Sequence, residues 1–354
     1  MLFGYPISAT LENWLHECLC EILHSIHASI QEAETPPPWP EIIPARARNR
    51  LQKRRGLEDR LKAYQIAVQQ LTTAEQERIL QALHDQNQIA LLLSCQRNCE
   101  TITQLPQSIH KPVKKLFEFA FELLTELEIR DLHYQAIYDA TPHICPFCGC
   151  QPFDALGSRR EALDHYLAES IYPLAGSNLR NLVPMCNKCN SRKLAQDILT
   201  KKNGTRRKSF DPYSYNCTGI KLSLENSQPF AGKLTPTGQL PLWEIEFKPD
   251  SEEVGTWDEV FHIQERYKRD VLDAEFNTWL RHFKSFLKSQ NTPHSSDEEL
   301  VDAIAGYATY NESLGMSERA FLKAAVFRML HTHCKKGDQQ LMDFIRDVVN
   351  GVKV

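Results

Sequence analysis

Helical periodicity dominates both ends of the chain. Residues 8–33 set Leu11, Trp14, Leu15, Leu19, Leu23 and Ile26 at helical spacing and predict an amphipathic helix. The run Pro36-Pro37-Pro38-Trp39-Pro40 cannot continue it, because proline lacks the N–H and crowds the preceding turn, so a stiff connector follows. Thr72 and Glu75 have the spacing of a capping box and predict a helix to about Leu83. Another is expected over about Ile109–Glu128, with Val113, Leu116, Phe117, Ala120 and Leu124 as its buried stripe.

Residues 141–215 break this texture. Two short strands, 161–167 and 181–185, and a helix over 187–200 are expected there. Beyond them Ile220–Leu224 and Leu242–Phe247 alternate as strands do. The tail returns to helix at about Trp257–Lys288, Asp297–Tyr310, Glu318–Thr332 and Gln339–Asn350. Ser295 with Glu298, or Ser296 with Glu299, caps the second of these. No internal repeat is visible. The expected class is mainly α, α+β overall. Residues 1–140 form a helical region, 141–215 a small α/β metal module, and 216–354 a mostly helical region with a short β-hairpin.

Composition admits an ordinary packed core, with 42% hydrophobic and 24% charged residues. No apolar run approaches the roughly 18 residues of a membrane span. The start, Met1-Leu2-Phe3-Gly4-Tyr5-Pro6, lacks the features of a signal peptide. A cytoplasmic protein with no membrane insertion is expected. The net charge of −4 argues against a simple nucleic-acid coat, but the charge is uneven. Residues 141–210 hold eleven Lys or Arg against five Asp or Glu, a net +6, so the rest carries −10. A basic segment of this kind suits phosphate. Arg46, Arg48, Arg50, Lys53, Arg54 and Arg55 form a second basic stretch, read first as a solvated helix face and second as a nucleic-acid contact.

The basic segment also carries the cysteine pairs. Cys145-Pro-Phe-Cys148 and Cys186-Asn-Lys-Cys189 are two C-x-x-C knuckles, and four thiolates satisfy a tetrahedral zinc. Such a site has no open position, so this Zn²⁺ would hold the fold without doing chemistry. Cys150 reads as a bystander. Cys18, Cys20, Cys217 and Cys334 read as small buried hydrophobes. Cys95 and Cys99, at i and i+4, could meet on a helix face, with packing the simpler role.

Between and after the knuckles stand Asp164-His165, Asn181-Leu182, Asn190 directly after Cys189, and Lys193. His165 is the side chain best suited to take a proton near neutral pH. Asp164 offers a hard carboxylate oxygen beside it. On a helix Cys189 and Asn190 point about 100° apart, so one can face zinc while the other faces a second metal. Oxygen ligands suit Mg²⁺ or Mn²⁺.

Asp-His, then Asn-Leu, then C-x-x-C-Asn-x-x-Lys, framed by two knuckles, resembles the HNH (His-Me finger) endonuclease family over about 50 residues. The resemblance implies a small ββα-metal fold with His165 as general base and Asp164 and Asn190 as ligands of catalytic Mg²⁺ or Mn²⁺. It makes Asn181 the brace of the hairpin that orients His165, with Asn178 as an alternative brace. Departures are few. Ala168 and Glu169 stand where the family usually has a proline, Ala175-Gly176 where it has two glycines, and Asn190 where many members have histidine. The run from Cys145 through Tyr213 is also similar to HNH subunits of prokaryotic anti-phage systems such as Septu and type II Zorya, which implies protein partners.

The expected activity is hydrolysis of DNA phosphodiesters, with duplex DNA as partner. Lys193, Lys201, Lys202, Arg206, Arg207 and Lys208 are the candidate backbone contacts, with Arg159 and Arg160 behind them. Two other readings stay open at this stage: a catalytically silent zinc-stapled nucleic-acid-binding or scaffold subunit, and a nuclease acting on RNA.

Overall fold

Leu15, Cys18, Leu19, Ile22, Leu23 and Ile26 share one face of helix α1 (Trp14–Gln31), and in the computed structural model of the protein that face is buried, at 0–1% exposure. The structure describes residues 1–155, 157, 163–194, 196–214, 219–236 and 238–352. Arg159, Arg160, Cys217 and the first two residues of the expected strand 161–167 lie outside the described residues. Among the described residues the fold is mainly helical, with three two-stranded antiparallel sheets. No helix among them is long and apolar enough to cross a membrane. The chain divides into two compact units, Met1–Phe147 with Gln151–Thr218, and Gly219–Val354 with Cys148–Cys150.

The first unit is built on α1, α2 (Ala45–Leu51), α3 (Arg55–Val68), α4 (Thr73–Gln86), α5 (Ile89–Leu93), α6 (Gln107–Glu126) and α7 (Ile129–Ala140). The α4 terminus has the expected capping box, with Glu75 N–H donating to the Thr72 hydroxyl and the Glu75 carboxylate accepting from Thr72 N–H. Helix α6 buries the expected stripe of Val113, Leu116, Phe117, Ala120 and Leu124, each at 0–1% exposure. At roughly 1.5–3 kcal/mol per fully buried large apolar side chain, this stripe anchors the unit. The same core takes in Leu163, Leu174, Leu179 and Leu182 from the segment that carries the candidate site. The helical region is therefore the wall against which the site is built.

Residues 94–101 are not helical, and Cys95 has φ +59°, so the helix-face pairing of Cys95 and Cys99 does not occur. Cys18 and Cys334 are buried as expected, and Cys20 is half-buried. The basic stretch of α2 and α3 is largely engaged internally. Arg46 pairs with Glu21 and Arg54 with Glu126, Arg48 donates to the carbonyls of Glu41 and Ile43, and Arg50 lies 4.2 Å over the Trp14 ring.

In the second unit β3 (Lys221–Ser223) pairs antiparallel with β6 (Glu246–Lys248), and β4 (Leu234–Thr235) with β5 (Gly238–Gln239). The long helix expected over 257–288 is interrupted. It runs as α9 (Glu252–Phe261), α10 (Ile263–Arg266), a π-helical segment Tyr267–Leu272 and α11 (Asp273–Gln290), with His262 in a left-handed conformation at the first break. Helices α12 (Asp297–Ser313), α13 (Ala320–Lys335) and α14 (Gln339–Asn350) follow near their expected positions. Ser296 with Glu299 is the pair that closes the capping box on α12. Phe283, Tyr307 and Phe327 form an aromatic cluster with centroids 4.6–5.3 Å apart.

Candidate functional site

The two knuckles meet. Sulfurs of Cys145, Cys148, Cys186 and Cys189 all lie within 4.8 Å of one another, and all four residues are buried. Tetrahedral zinc with bonds of about 2.3 Å sets its sulfurs roughly 3.8 Å apart, so the cluster can hold such an ion. The first knuckle sits in a tight hairpin. Cys145 N–H donates to Gln151 O at 2.8 Å, Phe153 N–H donates to His143 O at 2.9 Å, and Gly149 takes φ +62°, which a side chain would disfavour. The second knuckle opens α8 (Asn187–Lys193), with Cys186 as its N-cap residue. This helix is shorter than the expected 187–200. It stops at Lys193, Leu194 takes φ +38°, and the Asp197 carboxylate accepts Leu199 N–H in a competing turn.

The second feature is a hairpin. Strands β1 (Leu163–His165) and β2 (Leu182–Pro184) pair with His165 opposite Leu182 and Asp164 opposite Val183. Both are shorter than the expected strands. The connection between them, residues 166–181, is shaped by Asn181. Its buried carboxamide accepts Leu167 N–H at 2.6 Å and donates to Leu167 O at 3.1 Å and Ala175 O at 3.3 Å. Asn178 does something different. It accepts from Arg180 N–H and donates to Asn87 at 2.9 Å, tying the loop to the end of α4. Asn87 and Gln86 in turn bond the backbone of Leu174, and His16 on α1 bonds Ser177 at 3.0 Å.

This loop sets the state of His165. The imidazole is 8% exposed, with the Phe121 ring 4.6 Å away. Its Nε2 lies 2.8 Å from Gly176 O. A carbonyl only accepts, so Nε2 carries the hydrogen and Nδ1 keeps the lone pair. A Cβ at position 176 would lie 3.0 Å from Pro173 O, so a side chain there would crowd the turn that presents this carbonyl. Burial lowers the His165 pKa and Lys193 lowers it further, while Gly176 O and Asp164 oppose the shift. The ring is thus held neutral with Nδ1 as its free base.

Lys193 is the main correction to the expected site. It is 0% exposed, and its ammonium donates to Asp164 Oδ2 at 2.9 Å, to His165 O, and to Leu194 O at 3.5 Å. Three N–H donors have three acceptors, so this lysine is turned away from any backbone phosphate and instead ties α8 to β1. Asn190, half-buried, stands three residues before Lys193 and therefore on the same helix face. The Asp164 side chain is 22% exposed.

The basic run divides in the same way. Thr200 and Arg206 bridge the base of a tight turn, with Gly204 at φ +85°. Lys201, Lys202 and Lys208 are exposed. Arg207 is buried and donates to Asp197 O, and half-buried Arg206 donates to Leu92 O at 2.8 Å and Arg97 O at 3.2 Å. These two arginines fasten the segment to interior carbonyls.

Sequence reasoning missed two kinds of residue. Behind β2, the Tyr213 hydroxyl donates to Leu182 O, and buried His133 lies within hydrogen-bond reach of Leu182 O, Ala9 O and Tyr213. Neither role could be read without the tertiary contact. Beside Nδ1 of His165 stands Glu169, 3.8 Å away. An acid four residues after the histidine was the available signal. The chain matches no family model, and neither a curated protein nor a solved structure is significantly similar to it.

Proposed function

We propose that the protein is an HNH-type, metal-dependent endonuclease that hydrolyses DNA phosphodiesters, with a ββα-metal core running from β1 through α8. The observation that carries this reading is the state of His165. A neutral imidazole, donating through Nε2 and open at Nδ1, is what a general base for water needs near neutral pH. Asp164 and Asn190 fit a hard divalent cation by their oxygen donors. Lys193 engages only one carboxylate oxygen, Oδ2, which leaves Oδ1 for the ion. A bound Mg²⁺ or Mn²⁺ would supply neutralisation of charge developing on the phosphate. In this reading His165 takes the proton, Asn181 keeps the loop that orients it, and Lys193 holds Asp164 beside it. The zinc cysteines fix the start of α8, and Lys201, Lys202 and Lys208 present charge to the backbone. The resemblance to anti-phage HNH subunits directs the activity at invading DNA, in company with protein partners.

One observation favours a second reading. The Asp164 charge already has a partner in Lys193, as it would in a silent zinc-stapled binding subunit with no catalytic metal. Incubating plasmid DNA and a structured RNA with the protein in Mg²⁺, Mn²⁺ or EDTA separates these cases. Metal-dependent cutting of plasmid is expected. Cutting of RNA alone would move the substrate class, and retarded DNA with no cutting in either metal would establish the silent reading.

A further inference from the structure

Glu169 lies in the turn after β1 and faces the catalytic side of His165. Its Oε2 is 3.8 Å from Nδ1, the nitrogen left with the lone pair once Nε2 is committed to Gly176 O. Its Oε1 is buried and has no hydrogen-bond partner among the described residues. The charges that act on it are mostly of the wrong sign, with Glu118 on α6 and Asp164 on β1 opposed by Lys114. Burial, with these two acids, pushes its pKa up to about 7. The side chain is half-buried, 26% exposed, and a carboxyl oxygen buried there among like charges without a hydrogen-bond partner is a cost that a bound water would relieve.

We propose that Glu169 is a positioning residue of the reaction, its carboxylate and His165 Nδ1 together holding the two hydrogens of the attacking water. This rests on the nuclease reading above. A gap of 3.8 Å is too long for a direct hydrogen bond, yet one water can sit about 2.8 Å from both groups. In the step itself one O–H bond of that water breaks and its proton goes to Nδ1. The freed electron pair forms the new O–P bond. The ester P–O bond breaks with its pair on the leaving oxygen, which takes a proton from solvent water. Glu169 is unchanged, and its charge faces the imidazolium as that forms.

The test measures kcat and KM on DNA with Mg²⁺ or Mn²⁺ for wild type, Glu169→Gln and Glu169→Asp, each with His165 and with His165→Ala, alongside thermal melts. Glu169→Gln should lower kcat roughly 10- to 100-fold, the worth of a hydrogen bond to a charged group, with KM and melting temperature not reduced. Glu169→Asp should recover part of the loss. In the His165→Ala background Glu169→Gln should bring no further loss, because the two residues act on one water. Wild-type kcat in Glu169→Gln overturns the proposal while leaving the nuclease reading intact, as does an equal loss in both backgrounds. A wild-type protein that cuts nothing in either metal removes the nuclease reading, and this proposal with it.

Discussion

Replacing Asn181 with alanine should unlock the loop that sets the tautomer of His165. The carboxamide is fully buried and makes three hydrogen bonds, at 2.6, 3.1 and 3.3 Å, to Leu167 N–H, Leu167 O and Ala175 O. Each such bond contributes about 1 kcal/mol net, and a buried donor left unpaired costs about 1–3 kcal/mol more. The longest of the three bonds is weak, and the loop can partly relax, so the expected cost is about 2–4 kcal/mol. Hydrogen exchange reads it locally. Leu167 N–H should lose protection by roughly 30- to 1,000-fold, since about 1.4 kcal/mol is tenfold. Peptides covering α6 should change little. Asn181→Asp should keep the Leu167 N–H bond, lose both donated bonds, and fall between alanine and wild type. Because Ala175 adjoins Gly176, whose carbonyl holds Nε2, cleavage should fall along with protection. Unchanged exchange at Leu167 in Asn181→Ala would refute the brace, whatever the activity.

Zinc should be present at one ion per chain and should fall in Cys186→Ser, with metal analysis of the purified proteins as the check. Wild type without stoichiometric zinc would rule the site out. Buried His16 and His27 have pKa values lowered by burial to about 4 from the ordinary 6.5, so protonating them favours unfolding. Their contribution is complete above about 6.5 and is lost as pH falls from there toward about 4, on the order of 3 kcal/mol each. Melting temperatures between pH 7 and 4.5 should fall accordingly, and the fall should shrink in the His16→Gln, His27→Gln double variant; an equal fall in both proteins would contradict this. Changing Lys201, Lys202 and Lys208 to alanine should flatten the slope of log affinity against log salt by roughly 0.9 per lost duplex contact. Arg207→Ala should lower the melting temperature instead, and a slope change there without destabilisation would return Arg207 to the interface.

The legible parts of this protein were those coded by short spacing. The α6 stripe and the capping boxes at Thr72 and Ser296 follow from local periodicity and emerge as expected. The two C-x-x-C pairs likewise converge on one cluster, although 37 residues lie between the knuckles. Charge was legible only as composition. Lys193 and Arg207 look like surface cations in sequence, but their partners, Asp164 and Asp197 O, are set by the packing of α8 and the loop after it. The long tail helix could not be divided from sequence because the left-handed turn at His262 has no glycine or proline to announce it. The helix α7 escaped because its buried residues, Ile129, His133, Tyr134 and Ile137, mix polar rings with apolar chains.

The central claim is that His165 is the base of a metal-dependent nuclease, and the most direct measurement is the single-turnover rate of plasmid cleavage by wild type and His165→Ala, side by side, in Mg²⁺ and in Mn²⁺. Wild type should cut or nick the plasmid, and His165→Ala should be slower by roughly 10²–10⁴-fold with DNA affinity and melting temperature preserved. Cleavage by well-folded His165→Ala at the wild-type rate, or none by wild type in either metal, would contradict it.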